Sequence, residues 1–138
     1  MLIFPVIYIF TPFIDNYSLM IPETIRVLGI ILFLVVIISM WWVLKTLNIN
    51  FDSQAQNRFV VSSGPYKYIR HPMYLVFIIQ AFTQGLITSN TVIFIGFFSI
   101  ILLVILRIRY EEQLLIQEFG EKYLKYKKTT KRIIPKLW

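Results

Sequence analysis

A short polar and aromatic stretch of the chain carries side chains that could bind a ligand or move a proton. It runs from Gly64 to Tyr74 and reads Gly-Pro-Tyr-Lys-Tyr-Ile-Arg-His-Pro-Met-Tyr, with the chain's only histidine at position 71. Imidazole and guanidinium groups bind anions, and phenol rings stack on planar groups or donate hydrogen bonds. The same composition is also typical of an aromatic anchor at a bilayer edge. From these residues alone, a binding site and an anchor are both open interpretations.

A second candidate group is the pair Arg107 and Glu111. The two residues are four positions apart, so a helix would place them on one face. They directly follow an apolar segment, where ionisable side chains are costly unless they are paired or functional. The alternative is a surface ion pair worth roughly a few tenths of a kcal/mol. The adjacent Glu112 points to another side of such a helix, and we expect it to be solvated.

Composition excludes several other kinds of site. The chain has no cysteine, a single histidine and scattered acidic residues, so we expect no metal site. It has neither a Gly-x-Gly-x-x-Gly nor a Walker-type loop, so a nucleotide-like cofactor would not be held by a Rossmann turn. The basic residues gather on the tail of an apolar chain, and we therefore expect no nucleic-acid partner.

The elements that must position these groups are apolar helices. The chain has 138 residues, of which 57% are hydrophobic and 15% are charged, and its mean hydropathy is +0.69. Soluble domains are about half apolar and about a quarter charged. We therefore predict an all-α integral membrane protein with a single domain over residues 1–138.

Four apolar segments predict about four transmembrane helices. Segment 25–44 is long enough for a hydrocarbon core of about 30 Å, and two tryptophans lie near its end. Segments 73–87 and 91–106 predict a helical hairpin, although segments of this length also suit buried core helices. Segment 2–14 contains two prolines, so we expect a short or kinked span there.

The distribution of basic residues predicts the topology. Of 14 basic residues, 13 lie in residues 45–71 or 107–136. By the positive-inside rule, both regions face the cytoplasm and the protein crosses the membrane several times. The domain then divides into N-terminal spans (1–44), a cytoplasmic loop with the motif (45–72), the hairpin (73–106) and a cytoplasmic tail that completes the site (107–138).

The tail is predicted to be an amphipathic helix that Gly120 interrupts. Within it, Phe119, Tyr123 and Tyr126 form an aromatic stripe, and such stripes usually serve packing. The basic run 127–132 is typical of segments that contact anionic lipid headgroups, where each residue contributes about 1 kcal/mol. A tail of this kind would also suit a non-catalytic membrane adaptor.

The two candidate groups also form one longer pattern. In order along the chain it consists of Ser63-Gly64-Pro65-Tyr66, Arg70-His71-Pro72-Met73-Tyr74 and, after the hairpin, Arg107, Glu111-Glu112, Phe119-Gly120, Tyr123, Tyr126 and Pro135. This order and spacing resembles the isoprenylcysteine carboxyl methyltransferase family, and the related phospholipid N-methyltransferases share much of it. The resemblance covers about residues 50–136.

The resemblance implies S-adenosylmethionine as methyl donor, S-adenosylhomocysteine as product and a lipophilic methyl acceptor within the lipid bilayer. It implies catalytic roles for Arg107, which positions the acceptor, and for Glu111. A family glutamine upstream of the motif has no match, since Phe51 stands in its register. The implied cofactor contacts are Arg58, Phe59, Val60, Val61, Tyr66, His71, Pro72, Met73, Tyr74 and Glu111.

The leading expectation is carboxyl O-methylation of an isoprenylcysteine-like substrate. A carboxylate acceptor is already ionised and needs no base, and paired hydrogen bonds from Arg107 could align it. Phospholipid amine N-methylation is the alternative, and its first step would need a base, for which His71, Glu111 and Tyr66 are the candidates. A membrane adaptor that binds anionic lipid through its basic tail is the non-enzymatic alternative.

Overall fold

A computed structural model of the chain describes residues 17–57 and 60–134. Three expectations concern residues outside these ranges: the short span over residues 2–14, and the cofactor contacts Arg58 and Phe59.

The secondary-structure elements of the described residues are all helices, with no β-strand among them, so the predicted all-α class is confirmed for these residues. A 3₁₀ helix covers Gly64–Lys67. The α-helices are α1 (Glu23–Asn57), α2 (Pro72–Thr88), α3 (Thr91–Phe119) and α4 (Glu121–Thr129).

Helix α1 is longer than the predicted membrane span over residues 25–44, because it continues to Asn57. The first part of the predicted cytoplasmic loop 45–72 is therefore helical. Residues 45–57 contain neither glycine nor proline, so nothing in this part of the sequence stops a helix where its apolar stretch ends.

The predicted hairpin helices are confirmed with small changes of bounds. Helix α2 ends at Thr88, and α3 starts at Thr91. Between them, Ser89 adopts a positive φ of 51°, and the Asn90 side chain accepts a hydrogen bond from the Val92 backbone N–H at 2.9 Å. An asparagine oxygen that caps the first free N–H groups of a helix in this way fixes where α3 begins.

The predicted interruption at Gly120 is also confirmed. Helix α3 runs through the end of its apolar part to Phe119, and α4 begins directly after Gly120. Gly120 has a φ of +55°, a conformation that side chains with a Cβ rarely adopt. The chain therefore breaks its helix at this residue and continues as the short α4, which buries Tyr123 and exposes Lys122 and Lys125.

The chain forms two compact units. The first unit comprises the described residues 17–37 and 77–102. The second unit comprises the described residues 38–57, 60–76 and 103–134. The second unit contains every candidate site residue that the structure describes.

Within residues 17–57 and 60–134, two helices are long and apolar enough to cross a membrane, over Glu23–Leu47 and Thr91–Phe119. Only 17% and 11% of their respective apolar stretches are buried inside the protein. A core helix of a soluble domain is mostly buried, so this exposure is typical of helices that face lipid. Helix α2, with 17 residues, is shorter than these two.

Candidate functional site

The motif begins with a turn that requires glycine. Gly64 has a φ of +54°, and a Cβ at this position would lie 2.8 Å from the Thr46 Oγ1 atom. Such a distance is too short for a real carbon–oxygen contact, so only glycine fits without movement of Thr46. Pro65, which follows, is buried at the start of the 3₁₀ helix.

Pro72 is the first residue of α2, a position that proline favours in helices. The missing proline N–H is not needed there, because the first N–H groups of a helix have no partner within it. His71 therefore lies directly before the helix, and its backbone carbonyl accepts a hydrogen bond from the Leu75 N–H at 3.3 Å.

The backbone of the motif is hydrogen-bonded to the segment that follows α4, at Lys131 and Arg132. Ile69 forms a parallel bridge with Lys131. The Arg70 N–H donates to the Lys131 carbonyl at 2.7 Å, and the His71 N–H donates to the Arg132 carbonyl at 3.0 Å. This pairing joins residues about 60 positions apart in sequence, and no local pattern in the sequence predicts it.

Glu112 is buried, with an exposed fraction of 3%, so the prediction that it would be solvated is wrong. Both the Nε and the Nη2 atoms of Arg70 lie 2.8 Å from its Oε1 atom. Arg70 Nη1 in turn donates to the backbone carbonyls of Lys127, at 3.1 Å, and of Thr130. A buried carboxylate is stable only with such charged and hydrogen-bonded partners.

Two further cations meet the same carboxylate. Lys127 Nζ lies 3.2 Å and Arg132 Nε lies 3.3 Å from the Oε2 atom of Glu112. Both belong to the basic run that was expected to contact lipid headgroups, and for these two side chains the structure gives a protein partner instead. Arg70, Lys127 and Arg132 together carry more positive charge than Glu112 neutralises, so the field around this cluster favours an anionic group.

The imidazole of His71 lies between the two adjacent glutamates of α3. Its Nε2 atom is 3.6 Å from Glu112 Oε1, and its Nδ1 atom is 3.9 Å from Glu111 Oε2. The residue is 6% exposed, and Nε2 has no hydrogen-bond partner among the described residues. A buried ring nitrogen in this state can still bind a polar group that enters the site.

Tyr74 links the motif to Glu111. Its hydroxyl donates to the Glu111 Oε2 atom at 2.8 Å, across 37 positions of sequence. Arg107 lies four positions before Glu111 on α3 and is exposed. The structure thus brings Glu111 to the motif, as the resemblance implies.

One cleft of about 250 Å³ joins most of the predicted cofactor contacts. This volume is slightly below the roughly 300–1,000 Å³ that is usual for small-molecule sites. Pro72 is buried without lining the cleft, and Arg107 is not among the lining residues. The predicted contacts that line it are Val60, Val61, Tyr66, His71, Met73, Tyr74 and Glu111.

Several lining residues were not predicted as site residues. Leu115 lies four positions after Glu111, so helical spacing could have identified it. The aromatic stripe was assigned to packing, yet all its members line the cleft. The additional lining residues are Leu47, Arg70, Leu115, Phe119, Tyr123 and Tyr126.

The phenols in the cleft are neutral at physiological pH. Burial, together with the Glu111 carboxylate, raises the pKa of Tyr66 to about 12. Burial, followed by the Glu112 carboxylate, raises the pKa of Tyr123 to about 12. Burial also raises the pKa of Tyr126, whose hydroxyl donates to the Tyr66 carbonyl at 2.6 Å. These hydroxyls are therefore hydrogen-bond donors and do not act as bases near pH 7.

Comparison with known proteins gives a consistent match. The sequence model of the Isoprenylcysteine carboxyl methyltransferase (ICMT) family matches residues 28–117. The chain is 30% identical to the Protein-S-isoprenylcysteine O-methyltransferase of Dictyostelium discoideum over 124 residues, covering 70% of this chain and 50% of that protein.

A second relative is the Methanethiol S-methyltransferase 1 of Bradyrhizobium diazoefficiens. It is 36% identical over 70 residues, which cover 51% of this chain and 24% of that protein. The chain thus spans about half and about a quarter of the lengths of these two relatives. The family match and the two long apolar helices together indicate a membrane protein.

Proposed function

The chain belongs to the isoprenylcysteine carboxyl methyltransferase family, and on this premise we propose that it transfers a methyl group from S-adenosylmethionine to a lipophilic acceptor at a membrane. The observation that carries the proposal is the cleft itself. It is lined by the motif and by Glu111, which are far apart in sequence and are joined by the Tyr74 hydrogen bond.

The residues of the cleft fit this cofactor. The Nε2 atom of His71 has no hydrogen-bond partner among the described residues and lies beside the surplus of positive charge, so it suits the cofactor's carboxylate. Glu111 suits its amino group or a ribose hydroxyl. Tyr66 and Tyr74 offer aromatic faces for the adenosine group and for the sulfonium cation. When bound, the cofactor supplies a methyl group on a positively charged sulfur, and S-adenosylhomocysteine remains after transfer.

Arg107 is proposed to position the acceptor. Its exposed guanidinium lies on α3 four positions before Glu111, so it is available to an acceptor that approaches from outside the cleft. A guanidinium binds a carboxylate through two parallel hydrogen bonds, which orient the nucleophilic oxygen. A positioned nucleophile can lower the barrier by several kcal/mol through proximity alone.

The acceptor that we propose first is the carboxylate of an isoprenylcysteine-like substrate. The family description and the Dictyostelium relative support it. A carboxylate is ionised at neutral pH and needs no base. This requirement agrees with phenols that stay protonated in the cleft.

A thiol acceptor is the second candidate, because the Bradyrhizobium relative is named for methanethiol. For a phospholipid amine, the first methylation would need a base. The raised pKa of Tyr66 leaves His71 and Glu111 as the candidates for that role.

We further propose that the motif and the tail face the cytoplasm. Thirteen of the 14 basic residues lie in residues 45–71, which include the basic residues of the motif, or in residues 107–136 of the tail, in agreement with the positive-inside rule. The water-soluble cofactor would then reach the cleft from the cytoplasm, while the acceptor would arrive from within the bilayer.

A methyl-transfer assay with labelled cofactor tests the proposal. Membranes containing the protein are supplied with a farnesylated cysteine, with methanethiol or with phosphatidylethanolamine vesicles. We expect a base-labile methyl ester from the first acceptor, whereas a volatile sulfide or a base-stable methylated lipid would identify the other two. A folded protein that binds no cofactor, but binds anionic vesicles in a salt-sensitive way, would instead be an adaptor.

A further inference from the structure

Two tyrosines of α4 differ in a way that packing does not explain. Both Tyr123 and Tyr126 line the cleft, and their ring centroids are 5.9 Å apart. The hydroxyl of Tyr126 donates to the Tyr66 carbonyl. The hydroxyl of Tyr123 makes no hydrogen bond of normal geometry among the described residues, although the side chain is only 1% exposed and the Arg70 guanidinium lies nearby.

An unpartnered hydroxyl in a protein interior is unfavourable. It gives up hydrogen bonds to water and gains none from the protein, so the folded state loses stability. A phenylalanine would fill the same space without this cost. Packing within the aromatic stripe therefore explains why residue 123 is aromatic, but it does not explain why the ring carries a hydroxyl group.

A second polar atom without a hydrogen-bond partner among the described residues belongs to a side chain that lines the same cleft. It is Nε2 of His71, in a side chain that is more than nine-tenths buried. The charged neighbours of both groups include the Arg70–Glu112 ion pair. Lys127 and Arg132 add positive charge to that pair. These cations and Arg70 outnumber the carboxylates of Glu111 and Glu112 by one, so the surroundings favour a ligand group that is negatively charged and accepts hydrogen bonds.

We infer that the hydroxyl of Tyr123 binds the cofactor's carboxylate together with Nε2 of His71. Tyr123 is thus a further cofactor-binding residue, supplied by α4 rather than by the motif or by α3. The inference rests on the proposed function, since the ligand is the S-adenosyl cofactor. The neutral phenol of Tyr123 donates a hydrogen bond, and a carboxylate oxygen of the cofactor is a suitable acceptor.

The substitution Tyr123→Phe tests this role, because it removes one oxygen and keeps the ring. The measurements are the melting temperature of the ligand-free protein in detergent, and calorimetric titrations with S-adenosylhomocysteine and with its decarboxylated analogue. We expect the melting temperature not to fall. We expect the affinity for S-adenosylhomocysteine to drop about tenfold or more, and the affinity for the analogue to stay within about twofold.

Tyr126→Phe is the matched control. It also removes one hydroxyl from a tyrosine that lines the cleft, but this hydroxyl has a protein partner at 2.6 Å. The melting temperature of this variant should therefore fall, because the partly buried Tyr66 carbonyl loses its donor. The two variants together separate a hydroxyl that stabilises the protein from one that serves a ligand.

Each other outcome contradicts the inference in a distinct way. Unchanged affinity of Tyr123→Phe for S-adenosylhomocysteine would remove the assigned contact and leave the proposed function intact. An equal loss for both ligands would rule out the carboxylate as its partner. A lower melting temperature or a failure to fold would mean that the oxygen serves the protein. If the folded wild-type chain bound neither ligand, the proposed function itself would fail.

Discussion

The two compact units of this chain differ in where their charged side chains lie: on the surface in the first unit, and partly in the interior in the second. The described part of the first unit contains two charged side chains, Glu23 and Arg26, and both are exposed. Its buried polar residues are neutral: Thr83, Ser89 and Asn90. The second unit buries the ion pair of Arg70 and Glu112, which the partly exposed Lys127 and Arg132 also contact, beside the cleft. The difference indicates that the first unit is built for an apolar environment, whereas the second maintains costly buried charges where a site would use them.

The largest effect should come from breaking the charge cluster of the second unit. Glu112→Gln keeps the shape of the side chain but leaves Arg70, Lys127 and Arg132 without their carboxylate. We expect a loss of about 3–5 kcal/mol in the free energy of unfolding, measured by denaturant titration in detergent.

Glu118→Gln is the control for this variant, because Glu118 lies on the same helix and is exposed. Its free energy of unfolding should change by less than about 0.5 kcal/mol. Equal stability of the two variants would show that the Glu112 cluster is not what distinguishes the second unit.

A smaller but still large effect is expected at the turn that starts the motif. In Gly64→Ala the new Cβ would meet Thr46 Oγ1 at 2.8 Å, on a backbone with positive φ. Backbone strain and steric overlap together should lower the free energy of unfolding by about 2–3 kcal/mol.

The matched substitution in the first unit is Gly96→Ala, where a Cβ would meet nothing within 4 Å. Alanine is the better helix former, so this variant should gain up to about 1 kcal/mol. Opposite signs for the two glycines in thermal unfolding would sharpen the contrast between the units, and a loss of stability in both would weaken it.

The smallest effect is expected for the exposed ion pair of the first unit. Arg26 Nη1 lies 3.5 Å from Glu23 Oε1, and Arg26 Nε donates to the Ile87 carbonyl at 3.3 Å. Arg26→Gln should cost less than about 1 kcal/mol, because exposed pairs gain little in water. A loss in thermal unfolding comparable to that of Glu112→Gln would contradict the division between exposed and buried charge.

The elements that could be predicted from the sequence are those with local signals. The apolar segments around Thr88-Ser89-Asn90 predict the bounds of α2 and α3 closely, and Gly120 predicts the break before α4. Pro72 is another local signal, because proline fits the first turn of a helix and here starts α2. The extension of α1 to Asn57 was missed because the end of an apolar stretch is not a signal that ends a helix.

The site was predictable only in part. The resemblance implies that Glu111 meets the motif, and the Tyr74 hydrogen bond agrees with this. The burial of Glu112 was missed because it depends on Lys127 and Arg132, which a helical-wheel argument within α3 does not include. The pairing of Arg70 and His71 with the C-terminal segment is likewise a contact between distant residues, which spacing along one element cannot predict.

The central claim is that the cleft of the second unit binds the S-adenosyl cofactor. The most direct measurement is a calorimetric titration of the detergent-solubilised protein with S-adenosylhomocysteine, for the wild-type chain and for His71→Ala. We expect saturable binding with one site per chain, and an affinity at least about tenfold lower in the variant because the partner of the carboxylate is removed. Absence of binding by folded wild-type protein, or equal affinity of both proteins, would contradict it.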